Sequence, residues 1–85
     1  MIFANGDCYI TYQQPDPIDS TKRVELEKAF EEGKHVYLNS MITTEHTLTF
    51  YYSPIKVMEE QNTIEPGDII IGEVREFLTG MEFSI

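Results

Sequence analysis

The chain has 85 residues, 41% of them hydrophobic, and carries 15 acidic against 6 basic side chains, for a net charge of −9. That length fits one domain, 1–85, with a limited core, and its aromatic content argues against intrinsic disorder. The charge has the wrong sign to neutralise phosphates, which argues against direct nucleic-acid binding and against attachment to an anionic membrane.

Cys8 is the lone cysteine, so no internal disulfide can form, which fits a reducing compartment. Asn5, Gly6 and Asp7 follow Met1 too closely for a secretory leader, and the longest aliphatic run is Ile69–Ile71. The expectation is a cytoplasmic protein, located in the host cytoplasm if a phage encodes it.

Asn5-Gly6 between apolar runs predicts a hairpin of strands near 1–4 and 7–13, because both turn residues accept positive φ. A single bent strand is the alternative. Pro15 and Pro17 mark a loop. Asp19 or Ser20 then caps a helix over about 20–33 that stops at Gly33, with Leu26, Ala29 and Phe30 as a narrow apolar stripe, Ile18 just before it and Val24 off it.

Residues 35–42 and 46–53 alternate as a second hairpin, with Val36, Leu38 and Ile42 on one face of its first strand and Leu48, Phe50 and Tyr52 on one face of its second. Residues 55–64 read as an exposed connection with a short edge strand at 55–58. Glu65-Pro66-Gly67-Asp68 has the form of a type II turn. A strand over 69–78, a tight turn at Thr79-Gly80 and a last strand over 81–85 complete the pattern. Ile70, Val74, Leu78, Met81, Phe83 and Ile85 then share a face, on which Glu76 is a conflict that needs a bulge or another register. The fold class is α+β: one helix packed on an antiparallel sheet of five or six strands, with a small one-helix β-barrel as the competing architecture.

Pro66-Gly67-Asp68-Ile69-Ile70-Ile71-Gly72-Glu73-Val74 resembles the opening strand of the oligonucleotide-binding barrels of ribosomal and RNA-exosome proteins. The resemblance covers nine residues, and a five-stranded barrel needs about 60 more. The segment lacks basic companions, so no RNA-binding function is carried over.

Nothing in the chain assembles a known catalytic set. His35 and His46 flank the second hairpin and could approach each other across it, but no nucleophile elbow, phosphate loop or dinucleotide fingerprint is present. One cysteine and two separated histidines do not make a zinc site, and Asp16 and Asp19 lack the spacing of a calcium loop. No cofactor is expected. Paired carboxylates of the glycosidase kind stay open, because acids are plentiful.

The charge is unevenly spread. Residues 1–20 carry −3, residues 21–35 and 36–56 are each neutral, and residues 57–85 carry −6. The Glu-rich helix is therefore balanced, with Glu25–Lys28 as an expected pair. The expected partner-binding residues are Glu59, Glu60, Glu65, Asp68, Glu73, Glu76 and Glu82, with Tyr51 and Tyr52 as aromatic anchors. They suggest a non-enzymatic acidic module, an inhibitor or regulator that occupies a basic surface of another protein. That partner could be a DNA-binding protein, the module then mimicking nucleic acid as small phage proteins do. Two other readings are an assembly subunit that forms homo-oligomers through edge strands and a small enzyme using His35 or His46.

Overall fold

In the computed structural model, which describes residues 1–83, the elements run β1 (Ile2–Ala4), β2 (Tyr9–Gln13), α1 (Ser20–Glu32), β3 (Leu38–Thr43), β4 (Thr47–Tyr52), α2 (Pro54–Gln61) and α3 (Pro66–Gly80). The strands form one sheet in the order β1-β2-β4-β3, every neighbouring pair antiparallel. β2 and β3 are both antiparallel to β4, so they run parallel to each other. α1 carries the chain between them and β4 fills the gap, a split β-α-β arrangement.

The α+β class holds, while the element count differs. Among the described residues there are three helices and four strands, in an open sheet with β1 and β3 as edges rather than a closed barrel. Both hairpins form. In the first, Ala4 pairs with Ile10, so the turn spans more than Asn5-Gly6, and Gly6 supplies the positive φ of 85° that the turn requires.

In the second hairpin the pairing skips from Leu38–Tyr52 to Ser40–Tyr51, leaving Asn39 as an extra residue. A bulge reverses the facing of everything beyond it. Met41 therefore packs on the core opposite Phe50, while Ile42 points outward and is 61% exposed. The alternation predicted for Leu38 and Ile42 fails for this reason, whereas Val36 departs from it because it precedes the first residue of β3. Tyr37 is buried and Val36 is exposed.

Asp19 caps α1, its Oδ1 accepting from the Thr21 amide at 3.4 Å. Ile18, Leu26 and Phe30 join the core and Val24 stays exposed, as the stripe predicts. Gly33 ends the helix with φ −77°, so it is not needed for a left-handed turn. Space there is tight: a Cβ would lie 3.1 Å from the Ala29 carbonyl oxygen and 3.2 Å from His35 Nε2, so these neighbours would have to give by a few tenths of an ångström. The expected Glu25–Lys28 pair gives way to Lys22–Glu25 at 3.9 Å.

The chain beyond Tyr52 is helical where strands and turns were predicted. Pro54 and Pro66 each open a helix, at a position where the missing N–H costs nothing. The supposed type II turn is thus the start of α3. Ile70, Val74 and Leu78, all fully buried, repeat every fourth residue, a spacing that lines one face of a helix and also of a strand. The two periods differ at Glu76 and Phe77. A strand turns Glu76 inward, whereas the helix exposes Glu76 and brings Phe77 against the core. The conflict at Glu76 disappears with the strand that created it.

Thr79-Gly80 is the last turn of α3, not a hairpin. The Met81 and Phe83 amides fold back onto carbonyls of the final turn, Phe83 N–H donating to Leu78 O at 3.0 Å, and Glu82 takes φ 68°. Phe83 packs edge-on against Tyr12, centroids 5.5 Å apart, and Lys22 Nζ lies 5.6 Å from its ring centre. Residues 84–85 of the predicted last strand, including the Val74–Ile85 pairing, lie outside the described residues.

All three helices share one core with the inward residues of the sheet: Ile10, Tyr12, Leu48, Phe50 and Tyr52 meet Leu26, Val57, Ile70, Val74 and Leu78. Burial raises the pKa of the Tyr12 and Tyr52 hydroxyls above 10.0, helped at Tyr52 by the negative charges of Cys8 and Asp7. A raised folded-state pKa contributes stability that is present below pH 10 and lost as pH rises through the folded value. Ultraviolet titration of phenolate is expected to show these two tyrosines ionising above pH 10, with stability falling as they do. Five tyrosines titrating together in a folded chain would contradict it.

Candidate functional site

No Asp, Glu, Lys, Arg or His occurs in any of the four strands. The charge is confined to helices and connections. α2 and α3 carry Glu59, Glu60, Asp68, Glu73 and Glu76, with Glu65 at the start of α3, against only Lys56 and Arg75. Among the described residues every acidic side chain is exposed except Glu73, which is half-buried.

Glu73 is held in place. Its Oε1 accepts from the Val36 amide at 3.0 Å, tying α3 to the segment between α1 and β3. Alongside this contact runs an open, shallow groove of about 620 Å³. One wall is residues Lys34 to Tyr37. The other is the α3 face of Ile69, Gly72, Glu73, Glu76 and Phe77.

Aromatic packing fixes the groove's shape. His35 stacks on Phe30 with centroids 4.2 Å apart and planes 18° apart, and meets Phe77 edge-on at 5.6 Å. Phe77 in turn meets Phe30 at 5.8 Å and Phe50 at 6.0 Å. His35 Nε2 lies 3.1 Å from the Phe30 carbonyl oxygen. Tyr37 accepts from Gln61 Nε2 at 2.6 Å, which joins α2 to the far side of the same wall.

The predicted binding residues do not form one patch. Glu73 and Glu76 line the groove. Glu59 and Glu60 stand on α2, and Glu65 and Asp68 at the start of α3. Glu82 lies beyond the other end of α3, about 22 Å along the helix axis, near Lys22 and Asp19. Tyr52 is a core residue, 3% exposed, and offers nothing to a partner. Tyr51 is accessible but points to the opposite face of the sheet, beside Tyr9 at 5.4 Å. The two tyrosines are neighbours on one strand, so their side chains must diverge.

His35 and His46 are also apart. The hairpin turn holds His46 and the open end holds His35, so the length of β3, about 20 Å, separates them. Gly72, Ile69 and Val36 do not stand out as site residues in the sequence, and His35 stands out only as a catalytic candidate, because a strand reading of 69–78 does not bring them together. The signal that could have found them is the pair Pro66 and Glu76, which fits a helix start and a helix exterior. Among the described residues no group of three or more His, Cys, Asp or Glu is placed to hold a metal ion, and no helix is long and apolar enough to cross a membrane. The chain matches no protein-family model, no curated protein and no solved structure.

Proposed function

We propose that the protein is an acidic protein-binding module, an inhibitor or regulator whose helical layer receives a basic surface of another protein. The observation that supports this most is the segregation of charge: neutral strands beneath, and α2–α3 with six carboxylates at or near them against two cations. Such a one-sided field steers a basic partner and sets its orientation. A partner whose basic site ordinarily holds nucleic acid fits best, the carboxylates standing in for phosphates.

The test is capture on immobilised protein from native cell extract, elution by salt steps, and titration of the captured partner with duplex DNA as competitor. A basic partner that is released as the screening length falls from ~10 Å at 0.1 M to ~3 Å at 1 M salt, and that DNA displaces, supports the reading. A partner that resists high salt or ignores DNA removes it.

A second reading rests on the outer sheet face. Phe3, Tyr9, Ile42 and Tyr51 lie there without a charge among them, and no described helix covers them. Self-association through this face is better supported than pairing of edges, because β1 has only three residues and β3 is bulged. Here salt acts with the opposite sign, since screening relieves repulsion between two copies of charge −9. Sedimentation over the same salt series tells the two apart.

A further inference from the structure

Gly72 stands in the middle of α3, where glycine is among the worst residues for helix stability. A glycine inside a helix usually makes room for a neighbour. This one does not: a Cβ at Gly72 would meet nothing within 4 Å. Nothing inside the fold therefore calls for glycine, and its open side faces the groove.

The groove combines apolar surface with two acids and one base. Val36, Tyr37, Ile69 and Phe77 give it apolar surface, and Glu73 and Glu76 line its α3 wall one helical turn apart. Lys34 lines the opposite wall and, among the described residues, is not within ion-pair distance of either carboxylate.

We infer that this groove is where the basic partner docks: a segment presenting Arg or Lys beside apolar residues lies across Gly72, its cationic heads on Glu73 and Glu76 and its apolar groups on Ile69 and Phe77. The inference rests on the acidic-module reading and narrows it to one site. The missing side chain at Gly72 lets the segment approach the helix backbone closely. Long basic side chains suit such a groove, because their stems lie on apolar surface while their heads reach the carboxylates.

The test uses the full chain, labelled with nitrogen-15, and a short acetylated peptide of alternating Arg and Val, at roughly 50 mM salt where screening is weak. Amide shifts are expected to concentrate in residues 34–37 and 69–77. Gly72→Leu should weaken binding by at least about tenfold. Gly72→Ala should raise Tm by roughly 3–8 °C, since it removes only the helix penalty, and should weaken binding less than Gly72→Leu. Lys34→Glu should tighten binding.

If the peptide binds but its shifts spread over Glu59, Glu60, Glu65 and Asp68, and Gly72→Leu binds as well as the parent, the groove is overturned while the acidic-module reading stands. If the peptide shifts nothing, both fall. A Gly72→Leu chain with parental Tm and parental binding also overturns the groove.

Discussion

Phe50→Ala is expected to remove a large share of the protein's stability. Phe50 is fully buried at the centre of the sheet, with Phe30 at 6.1 Å and Phe77 at 6.0 Å. Truncating such a ring costs about 3–5 kcal/mol, from lost transfer energy and the cavity left behind. A chain of this length has a total stability of about 4–13 kcal/mol, so the loss takes much of it. At roughly 4–8 °C per kcal/mol, Tm should fall by about 12 °C or more. A calorimetric Tm within a few degrees of the parent would show that the aromatic cluster does not hold the fold together. The effect should reach the groove too, because Phe30 and Phe77 position His35.

Arg75→Pro carries the second largest effect. Arg75 is an exposed residue in the interior of α3. Proline there removes a helix hydrogen bond and clashes with the preceding turn, costing about 3 kcal/mol or more. Arg75→Ala, which keeps the backbone bond, should change stability by less than about 0.5 kcal/mol. Urea denaturation with circular dichroism separates these outcomes. A proline variant as stable as the alanine one would mean that 69–78 is not helical. It would also dissolve the groove, since the helix is what places Glu73, Glu76 and Phe77 along one wall.

Two particular elements show where a linear reading works. The Asp19–Gly33 helix is legible because its cap, its stripe and its stop are all local, and α1 follows them to within a residue. The strands of β4 are legible because alternation of Leu48, Phe50 and Tyr52 has no helical interpretation. The segment 66–80 has no such safeguard. Its buried residues recur at a spacing both periods satisfy, its isoleucines favour a strand, and its Pro-Gly-Asp opening imitates a turn.

The sequence by itself determined the α+β class, the first two of its three expected hairpins, the first helix and the placing of the larger acidic excess after Tyr52. Each of these depends on composition or on neighbours a few positions apart. Only the tertiary structure decided what the acidic segment is and what it faces. Packing Phe77 on the sheet together with Ile70, Val74 and Leu78 selects the helix, because a strand would bury Glu76 in place of Phe77. That choice sends Glu73 to the Val36 amide, opens the groove over Gly72 and separates Glu82 from the acids of α2 and of the start of α3. The bulge at Asn39 is a decision of the same kind, made by pairing with β4 and invisible in the residues of β3 alone.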